Sequence, residues 1–141
     1  MNGDRSADAL IWLSFAVGDL EAARSHGGRR AAPPRIVAFH GEQAAEKAIK
    51  AALVLSGVDP PRTHDLNDLR NRLPDGWGVK RSPRDLGRLS TFATASRYPD
   101  NVAPVRPVDA ATAVRQAMVV VRLVREDFAR RGLPVAALEP L

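Results

Sequence analysis

Three polar residues that could bind an anionic ligand recur along one predicted helix: His40, Gln43 and Lys47. An α-helix turns by about 100° per residue, so these side chains form one band on that helix. An imidazole exchanges protons near neutral pH, an amide offers a donor and an acceptor, and an ammonium group supplies positive charge. The band could grip a phosphate or a base edge, or it could hydrogen-bond an adjoining helix or a second subunit.

Two further residues, His64 and Arg97, could join this band. His64 opens a short helix directly after the first one, although it could equally belong to the cap of that helix. Arg97 closes a later helix that a bundle would return antiparallel to these, and it could bind phosphate, bind a carboxylate or neutralise the carbonyl end of its helix. We predict that five residues converge on one groove and bind an anionic ligand, above all a nucleotide: His40, Gln43, Lys47, His64 and Arg97.

Helical periodicity predicts the elements that position these residues. The predicted helices cover residues 6–25, 39–55, 64–73, 82–98 and 109–131, with Thr63 and Ser82 as N-caps of the third and fourth. The second helix could also begin earlier, near Arg35. Glycine and proline cluster between them. The pattern predicts a single domain over 1–141, with its core in about 6–132 and a tail at 133–141. The fold class is all-α, an antiparallel four- to five-helix up-and-down bundle.

Each predicted helix carries an apolar stripe, and these stripes predict one shared core. The core is predicted to contain Ile49, Leu53, Leu89, Val121 and Val124. The first and last helices are apolar on more than one side, at positions 12, 15, 119, 120 and 123. A helix that is apolar nearly all round needs a second burial partner, so the sequence predicts a homodimer.

Composition excludes some functions and permits others. The 141 residues contain no cysteine, which excludes disulfides and thiol catalysis, and the three histidines have no metal-ligand spacing. We therefore predict no metal site and no cofactor. The 21 basic residues against 16 acidic ones permit a nucleic acid, nucleotide or acidic partner. The longest uncharged apolar run, 117–121, is far below the ~20 residues of a membrane span. No signal-peptide cleavage pattern is evident, and the lack of cysteine permits a reducing compartment, so we predict a cytoplasmic protein.

One combination of motifs resembles a known family. The sequence contains FHGEQAAEKAIKA at 39–51, a glycine at 57, THDL at 63–66 and RYP at 97–99. This combination is similar to the HEPN family (higher eukaryote and prokaryote nucleotide-binding domain), over about residues 12–128. The resemblance implies a helical bundle, usually dimeric, that serves as a nucleotide-binding or interaction module. Such chains are often encoded beside, or fused to, a minimal nucleotidyltransferase as a toxin–antitoxin-like pair.

Ribonuclease members of that family carry an arginine, four to six residues and then a histidine near the start of the last helix. No histidine follows His64 here, so Arg97 and Arg106 have no partner at that spacing. Arg35 and His40 have the spacing but lie at the entry to the central helix. The resemblance therefore argues against metal-independent ribonuclease activity. The alternatives are a ribonuclease with a displaced site that uses His40 or His64, and a purely structural helical dimer.

Overall fold

The computed structural model describes residues 2–24, 32–82, 85–95 and 104–138, and these contain helices and no strand. The helices are α1 (Asn2–Arg24), α2 (Pro34–Leu55), α3 (Leu66–Asn71), α4 (Gly87–Ala95) and α5 (Pro107–Arg130). Two single turns of 3₁₀-helix cover Gly78–Lys80 and Val135–Ala137. The prediction of an all-α bundle is confirmed. None of the described helices combines the length and the apolar character needed to cross a bilayer.

Helix α2 is the centre of the bundle. It packs most extensively against α1 and α5, and it also contacts α3 and α4. Small residues allow the helices to pack this closely. A Cβ atom at Gly41 would lie only 3.4 Å from the backbone of Ala113 in α5. The alanines of α2 are buried for the same reason, at positions 38, 44, 45, 48, 51 and 52.

Contacts at the two ends of α2 show that α1 runs antiparallel to it. Asp19, late in α1, contacts His40, early in α2. The guanidinium group of Arg5, early in α1, lies beside Gly57, just after α2 ends. Gly57 has a φ of 76°, which favours glycine at this helix end.

Helices α2 and α5 run in the same direction. This is expected for the second and fourth helices of an up-and-down bundle, if the six-residue helix α3 is not counted. Pro34 and Pro107, at the two starts, line one cavity. At the other end, the indole of Trp77 donates to Ser56 Oγ at 3.0 Å, and its ring lies 5.9 Å from that of Phe128. Trp77 thus ties the end of α2 to the end of α5.

The core prediction is confirmed. All five predicted residues are completely buried and belong to one cluster: Ile49, Leu53, Leu89, Val121 and Val124. The described part of the tail also docks, because Arg125 donates to the carbonyls of Val135 and Leu138 at 3.2 and 3.3 Å.

Several predicted helix boundaries were wrong. Helix α1 begins earlier than predicted, at Asn2. Helix α2 begins at Pro34, next to the early start near Arg35, and a proline at a helix start loses no helical hydrogen bond. The N-cap of α3 is Asp65, whose Oδ1 accepts from the Asp68 amide at 3.1 Å, whereas Thr63 Oγ1 accepts from the amide of Asp65. Helix α4 begins at Gly87 and not at 82, and residues 96–99 lie outside the described residues.

Candidate functional site

Asp19 of α1 brings two of the predicted residues together. Its Oδ1 lies 3.0 Å from Nδ1 of His40, and its Oδ2 accepts from Nζ of Lys47 at 2.6 Å. The Asp19 side chain is 15% exposed, and those of His40 and Lys47 are 30% and 27% exposed. We call these three residues the Asp19 cluster. The cluster joins α1 to α2 and leaves part of the imidazole and the ammonium group at the surface.

Glu46 holds a second group of residues, on the neighbouring sector of α2. Nδ1 of His64 donates to its Oε1 at 2.7 Å, and Nζ of Lys50 donates to its Oε2 at 2.9 Å. Glu46 is buried, whereas half of the His64 side chain is exposed. A carboxylate on Nδ1 fixes the tautomer and the orientation of an imidazole, which directs Nε2 away from the carboxylate.

Glu42 lies one turn before Glu46 and completes what we call the Glu46 cluster: Glu42, Glu46, Lys50 and His64. Glu42 is completely buried, and its Oε1 accepts from Nε2 of Gln43 at 2.7 Å. Its Oε2 has no hydrogen-bond partner among the described residues. Only a protonated Glu42 could donate to Glu46, so the ionised form leaves a buried oxygen unsatisfied.

Opposite pKa shifts separate the two carboxyl groups. Burial, and then repulsion by Glu46, raises the pKa of Glu42 from 4.5 to about 9. Burial alone would raise the pKa of Glu46 too, but hydrogen bonds from His64 and Lys50 outweigh burial and lower that pKa below its ordinary value. At neutral pH Glu42 is therefore neutral and Glu46 carries the negative charge of the cluster.

Comparison with known proteins identifies the family of the chain. The HEPN domain matches residues 9–127, which is most of the sequence. The chain belongs to the HEPN family. The structure is also similar to the crystal structure of TT1696 from Thermus thermophilus, with a TM-score of 0.70 and 28% sequence identity. That similarity covers 84% of this chain and 96% of TT1696. The comparison with curated proteins gave no match.

In this HEPN protein the described candidates fall into adjacent clusters on α2. His40 and Lys47 lie in the Asp19 cluster, His64 lies in the Glu46 cluster, and Gln43 lies between the two on the helical wheel. Each has an intramolecular partner. The contacts of His40 and Lys47 join α1 to α2, and that of His64 joins α2 to the segment before α3. Gln43 pairs with Glu42 within α2. Arg97 lies outside the described residues. The prediction that all five bind one ligand stays a prediction.

The start of α5 is where the resemblance places the ribonuclease motif. Arg106 precedes this helix, and its amide and guanidinium group both donate to Asp109, at 3.0 to 3.2 Å. Arg88 of α4 donates to the same carboxylate at 2.8 Å. The hydrogen bonds from Arg106 lower the pKa of Asp109 to about 2. These contacts close the start of α5 and pair Arg106 with a carboxylate.

Sequence reasoning missed the carboxylates that hold these side chains. Glu42 and Glu46 had a signal, because they share the spacing of a buried stripe with Ala45, Ile49 and Leu53. Two glutamates one turn apart on an apolar stripe predict buried, partnered carboxyl groups. Asp19 had no comparable signal.

Two of the cavities in the described part of the chain lie away from these clusters. One of about 400 Å³ is lined by residues of the first half of α1 and of 54–59, including Arg5 and Trp12. The other, of about 710 Å³, is largely apolar and lies where α2 and α5 begin. Neither cavity is lined by His40, Gln43 or His64. A ligand of the two clusters would therefore lie on the surface of the bundle and not in either cavity.

Proposed function

We propose that this HEPN protein is a binding module that takes a nucleotide, or the backbone of an RNA, along the exposed edge of His40, Gln43, Lys47 and His64, with Arg97 as a further contact. The observation that carries the proposal is that both histidines are partly exposed and held by a carboxylate through Nδ1. Among the described residues, Nε2 of each ring has no hydrogen-bond partner. Rings that are already oriented lose less freedom when they bind a ligand.

The charges of the two clusters predict modest affinity. At neutral pH, Lys47 and Lys50 are balanced by Asp19 and Glu46, while Glu42 is neutral. A phosphate would have to share Lys47 with Asp19 and would not meet a free cation. The net charge of +5 still attracts an anion over longer distances, so binding should weaken as salt is added.

Calorimetry with ATP and with short RNA tests the proposal. Gln43→Ala and Arg97→Ala should each weaken nucleotide affinity by about tenfold or more, which is ~1.4 kcal/mol or more. Arg97→Ala should keep the free energy of unfolding within about 0.5 kcal/mol. Gln43→Ala should lower it by about 1–3 kcal/mol, because it removes the donor to the buried Oε1 of Glu42. Arg122→Ala is the matched control, since it removes an exposed arginine from α5.

Two results would contradict the proposal. The first is that the wild type binds neither ATP nor RNA at millimolar ligand. The second is that both variants lower the stability and leave the affinity unchanged, which would make the clusters purely structural links between helices.

The Glu46–His64 pair favours one second candidate, a ribonuclease with a displaced site. A histidine held by a carboxylate at Nδ1 can take up or release a proton at Nε2, which is what general acid–base catalysis of RNA cleavage requires. The test is RNA cleavage in the presence of EDTA. Cleavage that disappears in His64→Ala or His40→Ala would replace the binding function with this activity.

The proposal includes a protein partner, a minimal nucleotidyltransferase in a toxin–antitoxin-like pair in the cytoplasm. It is supported by membership of the HEPN family, in which such pairs are common. A reading frame for a minimal nucleotidyltransferase beside this gene, and copurification of the two proteins after coexpression, are the expected results. Separate elution of the coexpressed proteins would contradict the pairing.

The proposed assembly is a homodimer through α1. Ile11 and Phe15 lie one turn apart on this helix and are 52% and 58% exposed. Light scattering at tens of micromolar should give twice the chain mass of 15.2 kDa. Phe15→Ser should shift the protein toward monomer, because it removes apolar surface from the interface. Val108→Ser is the control, since Val108 is equally exposed but lies on α5. A wild-type mass near 15.2 kDa would contradict the dimer.

A further inference from the structure

The Glu46 cluster gathers three groups of the kind that bind transition metals. One oxygen of Glu42, one oxygen of Glu46 and one ring nitrogen of His64 all lie within 4.8 Å of one another. Two of the groups come from consecutive turns of α2, and the third comes from the segment that leads into α3. An ion at the centre of such a set would contact all three after Glu42 releases its proton to solvent and the hydrogen bond from His64 to Glu46 opens.

The unpartnered oxygen of Glu42 is the second observation. Glu42 is 0% exposed, and its Oε2 has no hydrogen-bond partner among the described residues. The other polar atoms of the two carboxyl groups are taken, since Gln43 donates to Glu42 Oε1, and His64 and Lys50 donate to the two oxygens of Glu46. In the ionised form of Glu42 this oxygen is a buried acceptor without a donor, which is costly to the fold, and a bound cation would satisfy it in place of the proton.

We propose that Glu42, Glu46 and His64 form a binding site for a first-row divalent cation, with zinc as the ion that fits best. The imidazole nitrogen favours zinc over magnesium or calcium, which prefer all-oxygen sites. Two carboxylates and one imidazole leave at least one coordination position open.

Lys50 limits the strength of this site. Its ammonium group already pairs with Glu46 at 2.9 Å, so a dication meets a set whose summed charge is −1 once Glu42 ionises. The competing explanation for the two adjacent carboxyl groups is a proton shared between Glu42 and Glu46, which predicts no zinc binding. His64 belongs to both proposed sites, but zinc binding requires no nucleotide, so a failure of one proposal is distinguishable from a failure of the other.

Calorimetry with zinc chloride, on full-length protein treated with EDTA and then dialysed, tests the site. We expect one zinc ion per chain with a dissociation constant below about 100 µM, and a higher melting temperature with zinc present. Glu42→Gln and His64→Asn should each weaken zinc binding by tenfold or more. His40→Asn is the matched control, since it removes a histidine that is also paired with a carboxylate but lies in the Asp19 cluster. It should leave the zinc affinity unchanged.

Two outcomes would overturn the inference. One is a wild type that binds zinc no tighter than about 100 µM. The other is zinc binding that is the same in Glu42→Gln and His64→Asn as in the wild type, which would place the ion on surface histidines. Circular dichroism checks that Glu42→Gln folds. His64→Asn changes a side chain that is half exposed and should fold, so it tests the site even if Glu42→Gln does not fold.

Discussion

Glu42→Gln is expected to stabilise the protein by an amount that grows as the pH rises from 5 to 9. The pKa of Glu42 is raised from 4.5 to about 9, so between these values the folded chain holds a proton that the unfolded chain has released. Each pH unit in this window lowers the free energy of unfolding by up to about 1.4 kcal/mol. Glutamine keeps the shape of the protonated acid and has no proton to lose. The expected gain at pH 8 is on the order of 2–4 kcal/mol.

The contribution of Glu46 to the free energy of unfolding has the opposite pH dependence and changes at lower pH. Its pKa is lowered in the folded protein, so its contribution is present above about 4.5 and is lost as the pH falls through the folded pKa. The two groups together should therefore contribute most to stability near pH 5, where Glu46 is ionised and Glu42 costs little.

Urea unfolding of wild type and Glu42→Gln at pH 5, 7 and 8.5, in EDTA, measures this effect. Glu21→Gln is the control, because it makes the same chemical change at an exposed position of α1. A difference between wild type and Glu42→Gln that does not change with pH would contradict the assignment of a neutral, buried Glu42. A variant that is less stable than the wild type at pH 8.5 would contradict it too.

Leu53→Ala is expected to cost roughly 2–5 kcal/mol, because Leu53 is completely buried and the alanine would leave a cavity between tightly packed helices. For a domain of this size the melting temperature should fall by roughly 6–20 °C. Leu55→Ala, the same change at a partly buried position of α2, is the control and should cost less. A thermal melt of Leu53→Ala that matches the wild type would contradict the assignment of this residue to the core.

The fold could be predicted from the sequence because each long helix has one apolar stripe. Ile49 and Val121, for example, are both completely buried, as their spacing indicated. The helix starts were less certain because neighbouring residues compete to cap. Thr63 and Asp65 can both cap a helix. In the structure the side chain of Asp65 is the one that accepts a hydrogen bond from a helical amide, that of Asp68 three residues later.

The candidate site could be predicted only in part. The helical wheel placed His40 and Lys47 in one band, and the structure shows both on one carboxylate. It could not supply Asp19, which is 21 positions from His40, or pair His64 with Glu46 across 18 positions. Contacts between elements depend on how the helices pack, and a pattern within one helix does not contain that information.

Chemical-shift mapping of nitrogen-15-labelled protein during an ATP titration tests the nucleotide-binding proposal most directly. The predicted result is that shifts concentrate on residues 40–47 and 64, and on Asp19 of α1, and saturate by millimolar ATP. The control ligand is adenosine, which lacks phosphates and should shift the Lys47 region less. No shifts at millimolar ATP, or shifts centred on the cavity beside Arg5 and Trp12, would contradict the proposed site.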